Sequence, residues 1–227
     1  ASPLTWLLLT LLAYIAALAL YRRCGAHPLL IPVFTAVVLI VAVLLATDTP
    51  YTTYRKGVEL LSFMIGPATV ALAIPLYAQR QRIREMWRPL CLALLAGCSA
   101  AIVSALGIGW ALGASMETLL SLAPKSATMP IALPVAERLG GLPSFAAVAV
   151  AITGIAGAVL ADPLLRLLRV HDPAVRGFAV GLTAHAIGTA RELQTHPAAG
   201  AFAALAMGLN GVATAVMVPV FVALLPG

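Results

Sequence analysis

The sequence predicts an all-α integral membrane protein with seven to eight transmembrane helices, broken or re-entrant half-helices and a transporter-like architecture. Of the 227 residues, 62% are hydrophobic and only 10% are charged, whereas soluble domains carry roughly a quarter charged residues. The mean hydropathy is +1.02. Apolar runs of about 20 residues, the length that crosses a bilayer, follow one another along the chain. We therefore expect one membrane domain over residues 1–227, embedded in a lipid bilayer.

The predicted spans follow the apolar runs in order. Arg22 and Arg23 close the first run and a basic stretch, residues 79–88, follows the third, so both are expected on the cytoplasmic side. The net charge of +6 comes mostly from arginines in these short loops. Because the sequence shows no basic patch on a soluble surface, we expect no nucleic-acid partner. The leading run lacks a basic region before it and a cleavage site after it, which favours a first span over a signal peptide. The runs are Ser2–Tyr21, Pro28–Ala46, Glu59–Tyr77, Pro89–Met116, Leu139–Ala161, Pro173–Ala190 and Pro197–Leu225.

The segment Glu117–Arg138 leaves two topologies open. If it crosses fully, there are eight spans, and Arg166, Arg169 and Arg176 fall outside, against the positive-inside rule. If it enters and returns on one face, seven spans remain and these arginines are cytoplasmic. The charges favour the re-entrant form. Downstream, Asp172 is expected to cap a helix that starts at the next residue, a proline.

An internal, inverted-type repeat is indicated at an offset of 59 residues. Leu60-Leu61-Ser62 matches Leu119-Leu120-Ser121, and Ala68-Thr69 matches Ala127-Thr128. Corresponding interrupted segments in two parts of a membrane chain are typical of transport sites. The first interruption, at Pro67 and Thr69, has two interpretations. It is either a proline kink in which Thr69 bonds to its own helix, or a half-helix N-terminus whose free N–H groups favour an anion.

The second interruption places Lys125, Ser126 and Thr128 between Pro124 and Pro130. Prolines interrupt a helix, and the freed backbone groups must face protein, water or a ligand. We expect Lys125 to be an internal countercharge, with the two hydroxyls beside it as ligand groups. The alternatives are a lysine that extends to the membrane interface or one that pairs with Glu117.

The third interruption contains His185, Gly188, Thr189 and Arg191. On a helix the first three share one face, Gly188 permits close approach, and Arg191 offers a fork that binds carboxylates. A packed histidine and an ion pair with the adjacent Glu192 are the structural alternatives. In the last span, Asn210 is assigned either to helix packing or to the lining of a pathway.

No pattern indicates an enzyme. The chain has no glycine-rich phosphate loop and no nucleophile elbow. Its three cysteines and four histidines do not have the spacing of a metal site. We expect no catalytic residue, no metal and no cofactor.

Three segments resemble the signature segments of the LrgB/CidB family. They are Pro124-Lys125-Ser126, Thr153-Gly154-Ile155 with Gly157-Ala158, and Ala184-His185-Ala186-Ile187-Gly188-Thr189-Ala190-Arg191. The segment from Gly66 to Ala73 resembles the first-half motif of the family. The similarity runs from about residue 28 to the end. Residues Ala127-Thr128-Met129 depart from it, where hydroxyl-rich residues are usual.

The resemblance implies a multi-pass protein of the bacterial inner (cytoplasmic) membrane. Members were first described as antiholin-like modulators of murein hydrolases, encoded with a small LrgA/CidA-type membrane partner. The plastidial glycolate/glycerate translocator is similar to a fusion of both parts, and bacterial members are linked to small carboxylates.

Two hypotheses follow from the residues and the resemblance together. The first is a secondary transporter of glycolate, glycerate, lactate or pyruvate, coupled to protons through His185, which works by alternating access. Its substrate-binding residues are expected to be Pro67, Thr69, Lys125, Ser126, Thr128, His185, Gly188, Thr189, Arg191 and Asn210. The second is a regulator of murein hydrolase export and cell lysis without a solute path of its own. Small-xxx-small spacings favour a homodimer in either case.

Overall fold

The computed structural model describes residues 3–25, 27 and 30–224, and its regular structure there is entirely helical. The all-α membrane fold is therefore confirmed. The helices divide between two compact units, residues 1–73 and 74–227, and a single domain over both stays a prediction. The twelve helices of the described residues are α1 Pro3–Arg23, α2 Pro32–Ala46, α3 Tyr51–Gly57, α4 Glu59–Ala71, α5 Ala73–Ala78, α6 Arg80–Glu85, α7 Trp87–Ala111, α8 Met116–Leu122, α9 Met129–Arg138, α10 Pro143–Leu167, α11 Pro173–Thr195 and α12 Pro197–Ala223.

Five segments of the described chain are long and apolar enough to cross a membrane. They are Leu4–Arg23, Glu59–Ala78 and the full lengths of α7, α10 and α12, while α2 is apolar but shorter. Ser2, Pro28 and Leu225, which bounded predicted spans, lie outside the described residues. The exact number of spans stays a prediction.

The first unit is held together by an aromatic contact between α1 and α3. Trp6 is buried and its ring meets that of Tyr54 edge to face at 5.9 Å, a favourable aromatic geometry. The Tyr54 hydroxyl lies 3.2 Å from that of Thr10. These contacts position α3 against the first half of α1.

Residues 116–138, α8 and α9 with their connection, form the first hairpin. The Leu142 N–H, just beyond α9, donates a 2.7 Å hydrogen bond to Ser121 Oγ in α8. Leu119 of α8 packs with Leu106 near the end of α7. The hairpin therefore begins near the C-terminal end of α7 and ends near the N-terminal end of α10. A segment that enters and returns in this way corresponds to the re-entrant alternative.

Residues 173–195, all of α11, form the second hairpin. His185 interrupts the helix with φ 39° and ψ −129°, and the chain reverses there. Arg176 and Glu192 are 16 residues apart and form a 2.8 Å hydrogen bond, whereas a straight helix would separate them by ~24 Å. A Cβ on Gly188 would lie 2.7 Å from Val180 Cγ1, so glycine allows the two limbs to approach. The single span predicted over residues 173–190 is wrong, because the reversal at His185 makes this segment a hairpin.

An ion pair places the two ends of the α7–α10 region on one face. Arg82 lies 2.6 Å from Asp172, so the segment before α7 and the segment after α10 are neighbours. Asp172 caps α11 by accepting from the N–H groups of Ala174 and Val175, as predicted. This face carries the arginines of both segments and is called the basic face; its cytoplasmic orientation stays a prediction of the positive-inside rule.

The two hairpins therefore enter unit 74–227 from opposite faces. The first starts where α7 ends, and the second starts where α10 ends, on the basic face. Phe178, Phe202 and Leu90 share one buried cluster, which fixes α12 beside α7 and the first limb of the second hairpin. The repeat at an offset of 59 stays a prediction; its first copy lies in α4 and α5 and its second copy in α8 and α9.

Candidate functional site

The tips of the two hairpins meet beside Asn210 of α12. Asn210 Nδ2 donates to the Ser126 carbonyl at 2.9 Å and to the Leu182 carbonyl at 3.2 Å. Both carbonyls belong to interrupted segments, where the backbone lacks its helical partner. One buried side chain thus satisfies a free carbonyl in each hairpin, which apolar surroundings require.

Val150 of α10 is a second point at which the tips meet. It packs against Ala127 of the first hairpin, and its carbonyl lies 2.9 Å from His185 Nε2 at the tip of the second. The second and third interruptions predicted from the sequence are therefore neighbours in space.

Lys125 is the cation at this meeting point. It is half-buried, and its ammonium group forms no ion pair with any residue in the described part of the chain. Glu117, the partner considered from the sequence, is exposed and forms no such pair. A lysine held in apolar surroundings without a countercharge is costly, so an anion would be stabilised here.

Ser126 and Thr128 follow Lys125 in the chain and precede α9. Ser126 is buried, and Thr128 is the N-cap of α9 but its side chain makes no capping bond. An N-cap hydroxyl usually accepts a bond from the first turn. Within residues 30–224, both hydroxyls are accordingly left for another partner.

His185 is almost completely buried and adopts a backbone conformation that L-residues rarely take. Such strain costs about 1–3 kcal/mol and persists where surrounding structure imposes it. Because the Val150 carbonyl can only accept, His185 Nε2 carries a proton, and Nδ1 is the atom left to gain or lose one. Thr189 Oγ1 donates to the His185 carbonyl at 2.7 Å, which satisfies the backbone at the reversal.

Gly154 of α10 allows the His185 ring to lie against the helix. A Cβ on Gly154 would be 2.7 Å from His185 Nε2, closer than atoms can approach. The space beside Gly188, by contrast, is occupied by Val180 on the opposite limb of its own hairpin. The structure therefore uses Gly188 for limb packing and Gly154 for the histidine.

Arg191 lies on the second limb and is already paired within the protein. Its guanidinium donates to the Ala158 carbonyl at 2.6 Å and forms an ion pair with Asp162. Glu192 does not pair with Arg191, as one alternative held, but with Arg176 through two 2.8 Å hydrogen bonds. In this conformation the Arg191 charge is not free for a ligand.

Asp162 and Arg176 are the residues that sequence reasoning missed. Asp162 follows a charge-free run, and its two oxygens contact Arg176, at 2.7 Å, and Arg191. A single acid at the end of an apolar span was the available signal. Its partners could not be read from it, because they lie on another helix.

Pro67 and Thr69 belong to the first unit, in α4. The helix continues through Pro67, and Thr69 Oγ1 donates to the Ile65 carbonyl at 2.7 Å. This is the kinked-helix interpretation of the first interruption. Neither residue is at a helix N-terminus.

Among the charged groups near the hairpin tips, Lys125 carries a positive charge that no described carboxylate neutralises. Two arginines and two carboxylates neutralise one another on the basic side of the second hairpin, while Lys125 at the tips has no counterpart among the described residues. In the described part of the chain no group of three or more His, Cys, Asp or Glu is arranged to hold a metal ion.

Comparison with known proteins gives a family and relatives within it. The model of the LrgB-like family matches residues 10–224, which confirms the resemblance seen in the sequence. The uncharacterized protein YxaC of Bacillus subtilis (strain 168) is 38% identical over 206 residues, 91% of this chain and 89% of that protein. No solved structure matches the chain.

Proposed function

This chain belongs to the LrgB-like family of multi-pass membrane proteins, and from that premise and the meeting of its hairpin tips we propose that it is a secondary transporter of small monocarboxylates. The substrate class is that of glycolate, glycerate, lactate or pyruvate. One observation carries the proposal: two re-entrant hairpins enter from opposite faces, and their tips meet beside an unpaired lysine.

The charge at the site supports a ligand with one negative charge. Lys125 would offset one carboxylate, and the two nearby arginines are neutralised by Asp162 and Glu192. A ligand with two negative charges would leave one of them without a partner in apolar surroundings, which costs several kcal/mol. Singly charged anions are therefore favoured.

The hydroxyls beside Lys125 support a ligand rich in oxygen. Ser126 and Thr128 can donate to carboxylate or hydroxyl oxygens, and the first N–H of α9, that of Met129, lies next to Thr128 in the chain. It is the one N–H of the first turn available to an anion, because Pro130 has none and the Ile131 N–H donates to the Thr128 carbonyl. Proton coupling would use His185 Nδ1, since Nε2 is held by the Val150 carbonyl.

The opposite entry of the hairpins supports alternating access. Each hairpin returns to the face from which it came, so moving one hairpin away from the shared site would open that site to one face only. This is how broken helices at the midplane serve other transporters. The second hairpin would open the cytoplasmic side.

The proposal is tested by uptake of radiolabelled glycolate and its short-chain analogues into proteoliposomes. Lys125→Ala should lower uptake to the level of empty liposomes, whereas the same change at the exposed Lys56 should leave it intact. Uptake by the wild-type protein that does not exceed that of empty vesicles would refute transport. It would favour the lysis-regulating role described for the family. Unchanged kinetics of Lys125→Ala would remove that residue from the site.

We propose in addition that the protein acts as a homodimer in the bacterial inner membrane, alone or with a small LrgA/CidA-type partner. Chemical crosslinking in native membranes, followed by mass spectrometry of the purified product, separates a dimer from a complex with a smaller protein.

A further inference from the structure

We propose that Arg176 and Arg191 form a second carboxylate-binding site, on the cytoplasmic side of the hairpin tips, which Asp162 occupies in this conformation. A small free carboxylate takes the place of Asp162 when the second hairpin separates from α10. That the natural ligand is the transported carboxylate rests on the proposed function. The existence of the site does not.

The geometry is that of a carboxylate bound between two guanidinium groups. One Asp162 oxygen lies 2.7 Å from Arg176 Nη2, and the other contacts Arg191 Nη2. The two arginines come from the two limbs of the second hairpin, whereas Asp162 comes from α10. Arginine pairs arranged in this way bind free carboxylates in the same manner.

Arg191 has binding capacity that Asp162 does not use. Its side chain is only 10% exposed, and its Nε has no hydrogen-bond partner. Buried donors of this kind are nearly always paired. A carboxylate free of the α10 backbone can reach Nε and Nη2 together, as the tethered Asp162 does not.

Glu192 makes the site specific for one carboxylate at a time. It is fully buried and occupies the Nε and Nη2 edge of Arg176 with both oxygens. This pair joins the limbs of the hairpin to each other, and exchange at Asp162 leaves it in place. The hairpin can therefore move as a unit.

Exchange at Asp162 is accessible and preserves charge pairing. The Asp162 and Arg176 side chains are 22% and 21% exposed, so a small anion can reach them and the displaced Asp162 can be hydrated. Three of the four charged residues lie on the second hairpin. Replacing Asp162 by a free anion therefore removes the ion pairs that hold this hairpin to α10.

The experiment is chemical rescue of Asp162→Ala. The purified variant should melt below the wild type, and sodium acetate or formate at tenfold over its Kd should raise the Tm by about 3 °C or more relative to equal sodium chloride. The wild type should respond less, because the anion must displace Asp162. Glu137→Ala, which removes an exposed carboxylate that forms no ion pair in the described part of the chain, should show no difference between the salts.

Equal effects of acetate and chloride on Asp162→Ala would overturn the proposal, as would an equal response of Glu137→Ala. If Asp162→Ala does not fold, Asp162→Asn keeps the side-chain volume, and absence of acetate-specific stabilisation there overturns it too. Because melting needs no transport, rescue without glycolate uptake would leave this site standing and refute the proposed function. Glycolate uptake without rescue of Asp162→Ala by acetate would support the proposed function and refute this second site.

Discussion

Glu192→Gln tests whether the second hairpin is held closed by buried charge pairing. Glu192 is fully buried and accepts two 2.8 Å hydrogen bonds from Arg176. Glutamine keeps the shape but removes the charge, so Arg176 loses its principal partner. Removing one member of a buried pair costs about 3–5 kcal/mol, because the other charge is left uncompensated.

The structure places the expected cost at the lower end of that range. Arg176 is 21% exposed and retains Asp162 at 2.7 Å, so solvent and the second carboxylate offset part of the loss. We expect about 3 kcal/mol. For a chain of this size that lowers the Tm by roughly 6–12 °C.

The assay is thermal unfolding of the purified variants in detergent, followed by tryptophan fluorescence. Arg82→Met breaks the ion pair of a half-exposed arginine and should cost less than about 1 kcal/mol. The double variant Arg176→Met with Glu192→Met removes both charges and should recover most of the loss, since apolar replacement of a buried pair is often neutral. A single-variant shift below about 2 °C, or a double variant as unstable as the sum of its parts, would refute the reasoning.

Three further predictions follow from the site and the cytoplasmic face. Gly154→Ala should push the His185 ring from its carbonyl partner and lower uptake at least tenfold, whereas Gly107→Ala, which has open space around it, should not; equal uptake by both would contradict the packing argument. Asn210→Leu leaves two carbonyls at the hairpin tips unpaired and should cost about 2 kcal/mol in chemical or thermal unfolding; an unchanged midpoint would show that the tips are held otherwise. Burial of the Asp172 carboxyl raises its pKa, but hydrogen bonds from the first N–H groups of α11 and a nearby arginine lower it below 3.8 overall. Its contribution to stability is therefore present above that pH and lost as the pH falls through the lowered pKa, and a melting series in acid should show Asp172→Asn losing less stability than the wild type.

The position of the interruption in the first hairpin could be predicted from the sequence because it depends on local chemistry. Pro124 and Pro130 cannot continue a helix, and the structure has no helix across residues 123–128. The basic loops also favoured the re-entrant topology, since the distribution of arginine reports directly on membrane orientation.

The second hairpin was not predictable in the same way. The reversal occurs at one histidine with φ 39°, where no glycine or proline marks a turn. The limbs are held by Arg176 and Glu192, whose pairing is visible only once the chain has turned back. The pairing of Arg191 with Asp162 was likewise not visible in the sequence, which had assigned Arg191 to a ligand.

The sequence by itself determined that the chain lies in a membrane, where its first hairpin is interrupted, and which face is basic. Each of these follows from the composition of a short segment. Only the tertiary structure decided that a second hairpin enters from the opposite face, that the tips meet at Asn210, and that Lys125 beside those tips has no ion-pair partner among the described residues. Those facts depend on contacts between residues 28 to 84 positions apart, and such contacts are fixed by the packing of the whole unit.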